Sequence, residues 1–285
     1  MEFFTWDVNP VLIEFFGLKI HWYGALFATA ILAGLQVMKW IFQQEKIKLE
    51  LLDSLLMYSV FGIILGARLG HCLFYDPDFY LNNPLKILAI WEGGLASHGG
   101  GLGVILAVYF FQRKYKVGYL WLLDRLAIAT ALFGFFVRFA NFMNSEIVGK
   151  ITNSPLGVKF IRNDIGKNEA MRITNKNNYE DAYQLIGNSS NYKEVLASVP
   201  ARYPTQLFES LSYLGVFLIL WFVYWKTDKK EKPGYLFGLF MVLLWSVRLF
   251  IEFFKEGQGG IESMFNFGLN TGQWLSIPMI LDGFY

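Results

Sequence analysis

Charge is scarce in this sequence, and so are most residues that announce a reaction. Only 17% of its 285 residues are charged, and the formal net charge of +2 is too small to argue for nucleic acid as a partner. Its one cysteine, Cys72, excludes an intrachain disulfide, and its place inside an apolar run reads as packing. The three histidines, His21, His71 and His98, lack the spacing of a zinc ligand pair, so no metal is expected. The string "HGGG" at 98–101 resembles an esterase oxyanion loop, but no G-x-S-x-G nucleophile elbow accompanies it, which argues against a serine hydrolase. A Gly-rich phosphate loop of the P-loop kind is missing too. There is no convincing internal repeat, so an inverted-repeat transporter lacks support.

What remains is apolar: 54% of residues are hydrophobic and 18% aromatic, too much for an ordinary soluble domain. Apolar runs near 20–42, 53–75, 95–111, 119–140, 206–225 and 234–254 approach the roughly 20 residues that cross a hydrocarbon core. A last run from 271 has only about 15 residues and reads as re-entrant or as a helix cut by the chain end. The first run is not a cleavable signal peptide, because "MEFFTWDVNP" offers no basic leader, and it is expected to stay. The expected fold is therefore an all-α polytopic membrane protein of about seven transmembrane helices.

Loop charge sets the orientation, since short cytoplasmic loops collect Lys and Arg. Lys46 and Lys48, then Arg113, Lys114 and Lys116, then Lys226, Lys229, Lys230 and Lys232 all follow odd-numbered spans, which puts the N-terminus outside. The polar segment 145–205, in which "SPLGVKFIRND" reads as a short strand, then forms a small extracytoplasmic cap of mixed structure between the fourth and fifth helices. Residues 1–144 carry helices one to four and 206–285 carry helices five to seven, all within one membrane domain.

Polar residues inside the runs cluster at the outer end: Tyr23, His98, Arg138, Asn141, Gln206, Arg248 and Glu252. Arg248 and Glu252 are four apart and share a helical face, which lowers the cost of holding each in lipid. Charged residues within spans face a bundle interior or a watery cavity, so an outward-opening polar cavity is expected. Other residues read more plainly. His21 and Trp22 are interfacial anchors, and His71 is a satisfied interfacial histidine. Arg68 divides evenly between snorkelling and joining the cavity. The glycines after His98 serve close helix packing, which is compatible with letting a ligand reach the backbone. Arginines in a partly dry site bind phosphate through several N–H groups, so an anionic phospholipid head group is a fitting ligand.

The strings "WEGGLASHGG", "VRFANFMNSEIVG", "RYPTQLFES" and "VRLFIEFF", in this order, closely resemble the prolipoprotein diacylglyceryl transferases of bacterial inner membranes. The resemblance covers nearly the whole chain. It implies transfer of the diacylglyceryl group of phosphatidylglycerol to the lipobox cysteine of a preprolipoprotein, with a thioether formed and glycerol phosphate released. Phosphatidylglycerol, the lipobox segment and membrane lipid are then the partners, and no cofactor is implied because the lipid is itself the activated donor. The motifs carry essential roles to Tyr23, His98, Arg138, Asn141, Glu146, Arg248 and Glu252, with Asn144 and Gln206 as further substrate-binding residues. Three positions depart from the family pattern. Val137 and Ala140 stand where the family usually has glycine, and Tyr203 stands where it often has histidine.

The chemistry expected on this basis is displacement at the glycerol carbon next to phosphate. Arg138 and Arg248 hold the phosphate and stabilise the leaving oxygen. His98 either takes the proton of the incoming thiol or positions lipid, since nearby positive charge also favours a thiolate. Glu146 and Glu252 orient the arginines, and Tyr23 and Asn141 bind glycerol hydroxyls. The competing class is an anion or lipid transporter using the same arginines, which would need access from both faces. A transferase using the same lipid with another acceptor is a further alternative.

Overall fold

Uninterrupted apolar stretches leave the backbone no partner but itself, so they fold as helices, as they do in the computed structural model, which describes residues 3–89, 93–94, 96–256 and 271–284. The chain opens on three short strands: β1 (Phe4–Trp6), β2 (Val11–Phe15) and β3 (Leu18–His21). Helices α1 (Trp22–Gln44), α2 (Glu50–Phe74), α3 (Pro77–Asn82), α4 (Ser97–Tyr115) and α5 (Tyr119–Met143) follow. Next come β4 (Val158–Phe160), α6 (Ile161–Asp164), α7 (Lys167–Thr174), α8 (Tyr179–Asn188), α9 (Lys193–Ser198) and β5 (Ala201–Arg202). Helices α10 (Thr205–Lys226), α11 (Tyr235–Ile251) and α12 (Thr271–Asp282) complete the described chain.

Among the described residues four helices, α1, α2, α5 and α10, are long and apolar enough to cross a membrane, so the protein is a multi-pass membrane protein. At 1.5 Å per residue, helices of 22 to 25 residues reach roughly 33 to 37 Å, past a hydrocarbon core of about 30 Å. The other expected runs are helical but fall short of that mark. Helix α4 opens on Ser-His-Gly-Gly-Gly, α11 has 17 residues, and α12 has 12 with Pro278 inside.

The chain divides into two compact units. The first comprises Met1–Gly34, Ile128–Asp228 and Gly238–Tyr285. Here β1 pairs parallel with β4, which pairs antiparallel with β5, so the N-terminal strand is built into the segment between α5 and α10. The short strand expected in that segment is β4. Helices α6 to α9 beside it enclose a core of their own, Ile161, Ile165, Ala170, Ala182, Tyr183, Ile186 and Val199. Arg162 clamps it, pairing with Asp7 at 3.2 Å and Glu180 at 2.9 Å while lying over the Tyr183 ring. Burial pushes the Asp7 carboxyl above the usual aspartate range, against the pull of Arg162.

The second unit comprises Leu35–Ala127 and Lys229–Phe237. Its centre is an antiparallel seam between α2 and α4 in which small residues recur every fourth position: Gly62, Gly66 and Gly70 against Ala107, Gly103 and Gly99. A Cβ at Gly66 would sit 2.3 Å from the Gly99 carbonyl oxygen, and one at Gly103 would sit 1.9 Å from that of Gly62. The backbones are thus in contact, and only glycine fits, as in tightly packed membrane helix pairs. At the other end of the unit Asp124, fully buried, accepts from the N–H groups of Gly234 and Phe237, both at 2.8 Å, and so caps the start of α11. Arg125 beside it pairs with Glu45 at 2.9 Å and donates to the Lys230 carbonyl. Neither residue of this charged pair is among the polar positions marked from the sequence. Its partners are the α1–α2 loop and the α10–α11 loop, which gives it a structural task.

Candidate functional site

The first unit gathers the polar residues of three helices. On α5, Arg138 and Asn141 are three apart and share a face, and Asn144 follows one further turn on. On α10, Gln206, Glu209 and Tyr213 fall at i, i+3 and i+7, a polar stripe in an apolar helix, and all three are buried. Past the end of α11 the Glu252 N–H still donates to the Arg248 carbonyl at 3.0 Å, so the helical path carries both residues.

Glu209 is the hub. It is fully buried, and its two carboxylate oxygens are shared between cations: Arg138 Nε lies 2.9 Å from Oε2, and Lys255 Nζ lies 2.9 Å from Oε1. Lys255 also stands 3.9 Å from Glu252. Burial pulls the Lys255 ammonium below the usual lysine range, and Glu209 is the main group opposing that. Tyr213 is buried within electrostatic range of Arg138 and Arg248. Sequence reasoning passed over Glu209, Tyr213 and Lys255. The spacing 206, 209, 213 was the available signal.

Glu146 occupies a second polar knot. Its carboxylate accepts from Asn141 Nδ2 at 2.7 Å, its carbonyl accepts from Gln206 Nε2 at 3.0 Å, and it lies within electrostatic range of Tyr23. It is presented by an unusual turn. Ser145 and Ile147 on either side have φ of 56° and 57°, and a β-branched residue in the left-handed region is an outlier costing about 1–3 kcal/mol. Surrounding bonds hold the turn: Thr205 Oγ1 donates to the Ile147 carbonyl at 3.2 Å, and the Gly149 N–H donates to that of Tyr203 at 2.9 Å. A Cβ at Gly149 would lie 2.7 Å from both the Phe254 and Tyr203 carbonyls, so glycine is required there. Glu252 is likewise pressed by backbone, since a Cβ at Gly272 would come within 2.8 Å of its carboxylate oxygens.

Several buried polar atoms here find no hydrogen-bond partner among the described residues: Asn141 Oδ1, Asn144 Oδ1, Ser145 Oγ, Gln206 Oε1 and Arg248 Nε. Orphaned buried groups are costly and rare, and a set of them at one place marks a surface shaped for a polar ligand. Amide oxygens accept hydroxyl protons, and an arginine N–H donates to an anionic oxygen. Among the described residues no group of His, Cys, Asp and Glu is arranged to hold a metal ion.

Tyr23, Arg138, Asn141, Glu146, Gln206, Arg248 and Glu252 are therefore brought into one connected cluster, and Asn144 follows Asn141 by three residues. Arg138 is held by Glu209, where the sequence had suggested Glu146 or Glu252. His98 stands apart from this list: it is the second residue of α4, in the second unit, and its side chain lies outside the described residues. Its backbone position is set by the next residue, because Gly99 abuts the Gly66 carbonyl and the Gly70 Cα.

Arg68, in the second unit, is buried. It donates to the carbonyls of Ile87 and Lys86 at 2.9 and 2.6 Å, and to those of Gly93 and Gly94, so it ties down the chain ahead of α4. His71 packs between the rings of Tyr75 and Tyr80. Cys72 is buried, consistent with packing. Where the family pattern is broken, Ala140 is fully buried, and the Tyr203 ring meets Phe254 edge-on at 5.2 Å.

Comparison with known proteins points one way. A family model described as prolipoprotein diacylglyceryl transferase matches residues 10–285. A protein of Tolumonas auensis named phosphatidylglycerol--prolipoprotein diacylglyceryl transferase is 43% identical, over 98% of this chain and 94% of its own. Proteins of the same name from Porphyromonas gingivalis and Bacteroides fragilis are 39% and 37% identical, each over 99% of this chain and 93% of their own.

Proposed function

The chain belongs to the prolipoprotein diacylglyceryl transferase family, and from that premise we propose that it carries the diacylglyceryl group of phosphatidylglycerol to the lipobox cysteine of a preprolipoprotein, the first step of lipoprotein maturation. The observation that carries this reading to the residues is the set of orphaned polar atoms beside Arg138 and Arg248. Their acceptors suit glycerol hydroxyls, and their donors suit phosphate.

In the proposed reaction the cysteine thiolate attacks the glycerol carbon that bears the phosphate ester. A C–S bond forms, the C–O bond breaks, and the electron pair leaves with the oxygen of glycerol phosphate. Arg138 and Arg248 bind the phosphate and meet the charge that grows on that oxygen. Glu209 fixes the Arg138 fork, and Tyr23, Asn141, Asn144 and Gln206 hold the head group. Glu146 anchors Asn141, and Glu252 balances the cations. His98 accepts the thiol proton. Purified protein incubated with labelled phosphatidylglycerol and a lipobox peptide is expected to release labelled glycerol phosphate, and release that did not depend on the peptide cysteine would defeat the reading.

Charge alone is not enough for a planar, multidentate phosphate contact. Arg138→Lys is therefore expected to insert and fold but to lose most of its turnover, about 10²-fold or more by analogy with removing a preorganised donor. Wild-type rates in that assay would show that a point charge suffices.

The proposed setting is the bacterial inner membrane, with seven spans in α1, α2, α4, α5, α10, α11 and α12, the N-terminus outside and the site toward the outer leaflet. In domain terms, residues 1–144 and 206–285 form one membrane domain, with 145–205 as its extracytoplasmic cap. Support comes from the lysine and arginine content of the loops after the first, third and fifth of these helices. Asn188 is exposed at the end of α8, and Cys72 is buried, so a cysteine placed at 188 reports cleanly. It should react with a membrane-impermeant reagent in intact spheroplasts. Labelling only after lysis would reverse the topology.

A further inference from the structure

Outside the site, the hairpin β2–β3 belongs to none of the motifs. Its strands pair in register, Ile13 with Ile20, Glu14 with Lys19 and Phe15 with Leu18. Side chains alternate between the faces of a sheet, so Ile13, Phe15, Leu18 and Ile20 share one face, and Glu14 and Lys19 share the other. The charged pair is bridged at 3.8 Å. All four apolar residues are exposed, and no element among the described residues covers their face.

The tip is stranger still. A two-residue turn, Phe16–Gly17, closes the hairpin with φ of 48° and 78°, the left-handed geometry that hairpins normally reach with Asn-Gly. A phenylalanine there is a genuine outlier, and it is 94% exposed. In water this is a poor choice of residue on both counts. A strained, fully presented aromatic next to an apolar face calls for an occupant outside the chain.

Position identifies the occupant. The hairpin ends at His21 and α1 begins at Trp22, whose N–H donates to the Pro10 carbonyl at 2.9 Å, so the base of the hairpin is bonded to the first turn of a membrane-spanning helix. A strand of five residues reaches only about 17 Å, so the whole hairpin stays near the bilayer surface at that end of α1. Aromatic and aliphatic side chains at that level partition into the interface, and a charged opposite face suits water. We propose that the β2–β3 hairpin is a lipid-embedded element: its Phe15–Phe16 tip and its Ile13, Phe15, Leu18, Ile20 face lie in the leaflet where α1 begins, with Glu14 and Lys19 toward the aqueous side. This does not depend on the reaction proposed above or on which side of the membrane is outside.

The test uses full-length protein in bilayer nanodiscs. With Cys72→Ala as background, single cysteines replacing Phe16, Leu18, Glu14 or Lys19 carry a nitroxide, and relaxation by oxygen is compared with relaxation by a water-soluble nickel chelate. Positions 16 and 18 should favour oxygen, and 14 and 19 should favour nickel. If Cys72→Ala fails to fold, the same cysteines are read in the parent chain, where buried Cys72 is sheltered from the label. Nickel accessibility at 16 and 18 equal to that at 14 and 19 would overturn the proposal and leave the face to an apolar peptide. Shielding of 16 and 18 from both reagents would overturn it in favour of protein contact.

Discussion

Glu209→Gln should be among the most damaging single substitutions in the membrane region. The carboxylate is fully buried and is the shared counter-ion of Arg138 and Lys255. Removing it leaves two cations facing each other in a medium that screens poorly, and breaking a buried pair from one side costs about 3–5 kcal/mol. The melting temperature of the detergent-solubilised protein should fall accordingly, and transfer should fall with it because Arg138 loses the group that aims its fork. A second substitution separates the two effects. Adding Lys255→Met removes one unpaired cation, so the double variant should regain much of the thermal stability while staying inactive. Recovery of activity together with stability would show that Glu209 only balances charge. An unchanged melting temperature in the single variant would remove it from the centre of the network.

His98→Gln is expected to lower transfer by roughly 10²- to 10⁴-fold, the range of general-base catalysis, with phosphatidylglycerol binding retained. Glutamine keeps the approximate size and some hydrogen bonding but takes no proton at neutral pH. The deficit should shrink as pH rises toward about 8.5, where a free cysteine ionises unaided. The direction matters: the thiol gains its charge as pH rises, so a missing base is felt most at low pH. A variant that loses lipid binding in step with turnover, with no relief at high pH, would make His98 a head-group ligand.

Periodicity and composition carried much of this protein in plain sight. Apolar runs of helix length fold as helices in lipid, because nothing there satisfies an extended backbone, and the predicted runs are helical over most of their described length, four of these helices being long and apolar enough to cross a membrane. Polar residues inside such runs must find company, so Tyr23, Arg138, Asn141, Gln206, Arg248 and Glu252 could be marked before their contacts were known, and Glu146, outside the runs, followed only from the family resemblance. The packing role of the glycines after His98 was readable too, because small residues let helix backbones approach closely.

Pairing is what the sequence could not decide. Arg68 was balanced between lipid and cavity, and the fold gave it to the backbone carbonyls of Lys86, Ile87, Gly93 and Gly94. For Arg138 the sequence suggested Glu146 or Glu252, and the fold gave it to Glu209, on a helix some 70 positions away. The left-handed pair Ser145 and Ile147 contradicts local preference, and contacts from the remote Thr205, Gln206 and Tyr203 help to hold it. Local pattern reports which groups must be satisfied, since that depends on the residue and its surroundings. Which partner satisfies each is a matter of distance between segments remote in sequence, and those distances exist only once the helices have packed.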